Sequence, residues 1–446
     1  MKLLDEQMRL KLENPLWEHD PELAVIDTVL EQHPGLYVPF EKDILSMCKN
    51  NNMGRKDVPT VEQIVRAGIY KIMKCLTYED LEYAEYDSKI CPIFIKLYGR
   101  EPFSAQVLQK YISAISPESL KKIMVEINKI AIDNGLEDGK KVLPDSTVVE
   151  SGIAYPTNNK LVWDCINVLN RFLKDINEII TDQTLRNTTK QAKKNYYLIN
   201  ITKDKDKRKD IFLPQLRILD GDIGRAKKVM ESLPKEKDVE VRGLQNLIEV
   251  SEKVYNIAYR HEILEEDVPS KEKIFSIYEQ HVDIIVKGNR EVKFGHKVNL
   301  VIGKSNLILD CSIPDGNPKD TDLYQDPIRR IQENYGVKIR DLPSDGGYAS
   351  KKNLEFAKEL GITNIVFGKI VGSMQNVVSS KNMETRLKKW RSTVEAVISN
   401  VKRGFDLRRC EWKGKTHFDA RVFWGVIGYN FRVITSILVK KFATLQ

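Results

Sequence analysis

The chain has 446 residues, 41% of them hydrophobic and 30% charged, with a formal net charge of +8. That length supports two or three domains with cores of their own, and the modest basic excess suits a polyanionic partner without requiring one. The six cysteines are never spaced C-x-x-C and the six histidines form no H-x3-H pair, which argues against a zinc centre, a disulfide framework or a histidine-built metal site.

The opening stretch, MKLLDEQMRLKLENPL, is too charged for a secretory signal. Residues 59–134 predict a run of short helices. Thr60 with Gln63, and Thr77 with Asp80, have the spacing of N-terminal caps, and Ser116 precedes a proline suited to a first helical position. Such a run fits a DNA-binding helix-turn-helix module and equally a plain helical bundle.

At Lys141 the texture changes. VLPDSTVVESGIAYPT is β-branched and predicts a strand running into a turn at Pro156. From 161 to 275 the chain is again helical and charged, with a basic cluster in ITKDKDKRKDIF that reads either as a solvated surface or as a nucleic-acid contact. Three strands follow in HVDIIVKG, FGHKVNLVIG and NLILDCSIP, with turns at KGN and GKSN. DTDLYQDPIRRIQENYG predicts a helix ended by Gly336, VKIRDLPSDGGYAS a strand with a glycine-rich turn, KKNLEFAKELG a helix and NIVFGK a last strand. Antiparallel hairpins first and helix crossovers afterwards imply a mixed α/β domain. Near the end, Phe423 to Val439 is apolar but interrupted by Asn430 and Arg432, which predicts a buried helix; a cytoplasmic protein with no membrane partner is expected.

Metal-assisted phosphoryl chemistry needs carboxylates held rigidly at strand ends. Asp145 meets that need, with small Ser146 and Thr147 beside it. Asp345 meets it better, because Gly346 and Gly347 permit close approach of a backbone or ligand. Asp341 is the alternative if the strand is shorter, whereas Asp310 and Asp315 read as turn residues.

The third acid is Glu395, in the pattern R-x3-E-x6-K formed by Arg391, Glu395 and Lys402 within a stretch that reads as one helix. At about 100° per residue the three side chains fall within roughly 40° of each other. Leu387, Val394, Val397, Ile398 and Val401 form a separate apolar stripe. A surface helix laced with i,i+4 ion pairs, Arg391 to Glu395 among them, has the same pattern. Arg403, Arg408 and Arg409 extend the basic tract, as expected of a phosphate clamp. Two aspartates on strands and a glutamate on a final helix suit an RNase H-like core.

Taken as a set, DSTVVESGIAYPTNNKLVWDCI, FGHKV, SDGGYAS and RSTVEAVISNVKRGFDLRRC resemble the signature blocks of bacterial insertion-sequence DDE transposases, over roughly 140–435. The resemblance implies an RNase H-like mixed sheet flanked by helices, in 140–160 and 276–435. It also implies a helical N-terminal domain in 1–135 and a helical insertion in 161–275. Asp145, Asp345 and Glu395 would hold two Mg²⁺ ions, with Mn²⁺ able to substitute. Arg391 and Lys402, with Arg403 and Arg408 beyond them, would contact DNA. The implied partners are double-stranded DNA, as element ends and target, and a second copy of the chain when two ends are synapsed. Lys388 stands where one large branch of the family has a tyrosine. A nuclease that cuts without joining, and a captured regulator that binds DNA without cutting it, are the alternative readings of the same residues.

Overall fold

The computed structural model describes residues 15–47, 58–177, 187–233, 238–287 and 291–443. The chain forms two compact units, Met1–Gly152 with Gly295–Gln446, and Ile153–Phe294. Most of the N-terminal segment, the KGN turn beyond Lys287 and Cys48 lie outside the described residues.

The first unit begins with helices α1 (Pro15–His19), α2 (Pro21–Gln32), α3 (Val38–Leu45), α4 (Val61–Lys74), α5 (Tyr78–Asp87), α6 (Cys91–Ile95), α7 (Ala105–Ser113) and α8 (Pro117–Asp133). The expected caps form. Thr60 and Gln63 make a reciprocal capping box on α4, Thr77 and Asp80 another on α5, and the Ser116 hydroxyl accepts from Ser119 N–H at 3.2 Å. Each box satisfies two backbone donors that a helix start leaves without partners.

Strand β1 (Val142–Ser151) enters the sheet next. The second unit then contributes α9 (Asn158–Asn177), α10 (Thr189–Ile201), α11 (Lys205–Ser232), α12 (Asp238–Glu262) and β2 (Asp283–Lys287), and β3 (Glu291–Gly303) leads back into the first. The remaining elements are β4 (Ile308–Ser312), α13 (Gln325–Tyr335), β5 (Asp341–Ser344), α14 (Lys351–Glu359), β6 (Asn364–Phe367), α15 (Lys381–Arg391), α16 (Thr393–Gly404), β7 (Arg409–Cys410) and α17 (Lys415–Ala443). This is a mixed α/β architecture. A five-stranded sheet runs β2-β3-β1-β7, with β4 also on β3, and β5 and β6 form a parallel pair. β1 and β3 are antiparallel from Val142↔Gly303 to Glu150↔Gly295, and β3 and β4 are antiparallel. One parallel bridge, Lys141↔Asp341, ties β1 to β5. Passing from β4 through β3 and β1 to β5 and β6, three antiparallel strands are thus followed by two parallel ones.

One hydrophobic cluster joins the N-terminal helices, the sheet and α17. By length and composition α17 could cross a membrane, yet 67% of its apolar window is buried within the protein. Trp424 stacks on Phe40 at 6.3 Å. Asn430, one of the two polar interruptions in the sequence, is fully buried for a definite reason. Its side chain accepts from Ile308 N–H and donates to Ile308 C=O, both at 2.9 Å, and so satisfies β4 backbone groups inside the core.

The second unit has its own core, drawn from α9 to α12 and Ile277. The basic cluster of ITKDKDKRKDIF forms the linker and first turns of α11, capped by Asp204. Within it Arg208 pairs with Glu262 and Lys209 with Glu265, so part of its charge is already compensated.

Candidate active site

Asp145 lies midway along β1, half-buried, with Ser146 N–H donating to its Oδ1 at 2.8 Å. Asp345 directly follows β5 and is exposed. The bridge Lys141↔Asp341 sets the register between these parallel strands. Asp145 and Asp345 each stand four residues beyond that bridge, and both act electrostatically on the Tyr348 hydroxyl.

Tyr348, in the turn after Asp345, is 1% exposed. Burial pushes its hydroxyl well above the ordinary tyrosine range, and Asp145, Asp320 and Asp345 add to the push while Ser146 opposes it. The hydroxyl donates to Asn299 Oδ1 at 2.9 Å, and Asn299 Nδ2 donates to the Leu323 carbonyl at 2.9 Å. Asp320 is an acid that sequence reasoning passed over, because DTDL reads as the acidic start of a helix. It accepts from the Ser146 hydroxyl at 3.1 Å and from Lys297 Nζ at 3.1 Å. Only tertiary structure brings it next to Ser146.

The glycine pair does permit close approach, and the neighbours are protein. A Cβ on Gly346 would lie 2.6 Å from Lys369 Cβ, and one on Gly347 would lie 2.9 Å from Asp320 Oδ2. Asp341 opens β5 instead of ending it. Burial alone would raise its carboxyl, but hydrogen bonds from Arg340 and Asn364 hold it below the usual range, which marks a structural residue. Asp310 corrects the sequence reading: it is buried in β4, not in a turn, and Arg330 grips both its oxygens at 2.9 and 2.7 Å.

The single long helix expected around Glu395 is also corrected. It breaks at Ser392, leaving Arg391 at the end of α15 and Glu395 in the first turn of α16. The physical cause is local. The hydroxyls of Ser392 and Thr393 bond back to the carbonyls of Lys389 and Trp390, each at 2.7 Å, in competition with the helical ladder. The apolar stripe persists, with Leu387, Val394, Val397 and Val401 buried. Arg391 turns away from Glu395 and its Nη1 donates to Asp345 Oδ1 at 2.7 Å. Glu395 is exposed and makes no hydrogen bond or ion pair among the described residues. Lys402 is half-buried near the end of α16, while Arg403 and Arg408 are exposed. Arg403 donates to the Ser399 hydroxyl, and the Arg408 carbonyl accepts from Glu150 N–H at 3.1 Å, which docks the chain before β7 against β1. Lys388 pairs with Glu384 at 2.7 Å.

As metal donors, Asp145 and Asp345 have the right chemistry for a hard divalent cation, which takes oxygen ligands and often only one or two protein carboxylates. The full set is not gathered: among the described residues no group of three or more His, Cys, Asp or Glu side chains is placed to hold a metal. None of the described cysteines is disulfide-bonded.

Against known families, a model described as the transposase DDE domain matches residues 277–431, roughly a third of the chain. Residues 277–431 are a transposase DDE domain. The resemblance to insertion-sequence DDE transposases is borne out over that stretch, which includes Asp345, Arg391, Glu395 and Lys402 and leaves Asp145 outside. Searches of curated proteins and of solved structures found no significant match.

Proposed function

We propose that the protein is a DNA transposase that cuts at the ends of its element and joins the freed 3′-hydroxyl to target DNA. The observation that carries this reading is the match of residues 277–431 to the transposase DDE domain, in a chain where Asp145 and Asp345 each lie four residues past the bridge that joins β1 to β5. The strand sequence, three antiparallel followed by two parallel, supports an RNase H-like core in 140–160 and 276–435. On this reading 1–135 and the insertion 161–275 are accessory to that core, and the protein acts in the cytoplasm on nucleoid DNA.

Asp145 and Asp345 would hold divalent metal, Mg²⁺ with Mn²⁺ able to substitute, and Glu395 would complete the set as α16 approaches β1. Bound divalent ions would supply Lewis-acid charge that activates a water or 3′-hydroxyl and steadies the leaving oxygen. Tyr348 and Asn299 hold the strand-end turn in position from below. Arg391, Lys402, Arg403 and Arg408 bind phosphates, as a dimer on DNA brings two ends together. No covalent protein–DNA link is needed, because catalysis is positioning plus charge neutralisation at phosphorus.

The test is cleavage of DNA carrying the inverted repeats that bracket the reading frame, with Mg²⁺. Asp145→Ala, Asp345→Ala and Glu395→Ala should each abolish cleavage; full activity in Asp345→Ala would refute the assignment. Cut products that are never joined would make the protein a nuclease on the same core. The isolation of Glu395 favours a second reading, a captured regulator, which tight metal-independent binding without any cleavage would establish.

A further inference from the structure

Asp345 is already occupied by a guanidinium. We propose that Arg391 is a latch: in the DNA-free protein it fills the cation position at Asp345, so that divalent-metal loading depends on DNA. The inference rests on the reading of Asp345 as a metal ligand.

Three observations carry it. Arg391 Nη1 donates to Asp345 Oδ1 at 2.7 Å, so a carboxylate oxygen needed by a metal is engaged. The pair sits against bare backbone at Gly368, where an added Cβ would come within 3.4 Å of both Arg391 Nε and Asp345 Oδ1. In this pose Arg391 Nε is buried with no hydrogen-bond partner, so the side chain leaves a donor unsatisfied.

The balance of these terms makes the latch releasable. The two side chains are 36% and 54% exposed, and an ion pair that open to solvent contributes little. A DNA phosphate offers the guanidinium two parallel charge-assisted hydrogen bonds, against the single one it makes to Asp345. A phosphate within reach therefore draws Arg391 off, and the Asp345 oxygen it held is released for a metal. Arg391 ends α15 at the Ser392 break, just ahead of Glu395, so the same movement bears on the acid that stands apart from the other two. Linkage makes the coupling reciprocal: metal that displaces Arg391 frees it for phosphate and tightens DNA binding by the same factor.

The full-length protein is titrated with Mn²⁺ and free Mn²⁺ is followed by its electron paramagnetic resonance signal, with and without a short duplex whose own Mn²⁺ binding is subtracted. Without DNA, Arg391→Gln should bind Mn²⁺ about tenfold more tightly than wild type, the scale for removing a unit charge a few ångströms from a surface dication. DNA should tighten Mn²⁺ binding by wild type and leave Arg391→Gln nearly unchanged, while Arg391→Lys, which keeps the charge and loses the fork, should fall between. Equal DNA-free affinities of wild type and Arg391→Gln would overturn the latch while leaving the site intact. If instead Asp345→Asn binds Mn²⁺ as well as wild type in both arms, the metal-site reading fails, and the latch falls with it.

Discussion

Replacing Tyr348 with phenylalanine removes one oxygen from the floor of the site and creates no cavity. The ring keeps its packing against Tyr324, at 6.0 Å between centroids. What is lost is the donor to Asn299 Oδ1, and Asn299 is fully buried, so its oxygen is left without that partner. An unsatisfied buried acceptor costs about 1–3 kcal/mol, the expected loss by urea denaturation at neutral pH. The pH dependence sharpens the test. The folded-state hydroxyl sits far above the ordinary value of 10.0. Above pH 10 the unfolded chain therefore releases that proton and the folded chain does not. Wild type then loses stability at up to about 1.4 kcal/mol per pH unit from this group, a loss the phenylalanine variant cannot share. The gap between the two proteins should be constant from neutral pH to about pH 9 and should narrow above 10. The other buried tyrosines are common to both and cancel. A gap that stays level above pH 10, or no destabilisation at neutral pH, would refute this account of the site floor.

Other expectations concern the frame around the site. Burial, opposed by the Phe103 N–H and helped by Glu82, pushes Glu85 up to about 8, so stability should fall as pH rises from 4.5 to 8. Glu85→Gln keeps an acceptor for Phe103 and should exceed wild type at pH 8 by on the order of a few kcal/mol, with no advantage near pH 4, read by denaturant midpoints. Arg66 is fully buried and pairs with Asp27, Glu31 and Glu62, and Arg66→Ala should cost about 3–5 kcal/mol in the same assay by leaving the buried Glu62 and half-buried Asp27 short of a partner. A Cβ on Gly68 would lie 2.7 Å from the Trp424 ring; Gly68→Ala should lower stability by about 1–3 kcal/mol and alter Trp424 fluorescence as α4 and α17 are forced apart.

The parts legible in the sequence share one property: their cause is local. Thr60 with Gln63 and Thr77 with Asp80 announce helix starts because the groups that satisfy the backbone are three residues away. Gly336 ends α13 in the left-handed conformation its position suggested, at φ 62. The strands around Asp145 and Asp345 follow from β-branched runs and glycine turns. What stayed hidden depends on distant contacts. Nothing in DTDL indicates that Asp320 will meet Ser146, and nothing in NLILDCSIP indicates that Arg330 will draw Asp310 into a buried pair. Asn430 interrupts an apolar helix, and its reason is a backbone more than a hundred residues away in sequence.

The break at Ser392 has a local cause that the apolar periodicity masks. Leu387, Val394, Val397 and Val401 keep helical spacing straight through the junction, and all four are buried, so the apolar face gives no sign of a break. The sign is in RST, where two adjacent hydroxylated residues can each bond back to the preceding turn, as Ser392 and Thr393 do. That exchange of ladder bonds for side-chain bonds leaves the buried stripe in place and ends α15 at Arg391. A continuous helix would stack Arg391 over Glu395, cation on acid, and the pair would neutralise itself. With the break, Arg391 reaches Asp345 and Glu395 carries its charge without a partner among the described residues. The junction thus separates a cation from the acid it would otherwise quench.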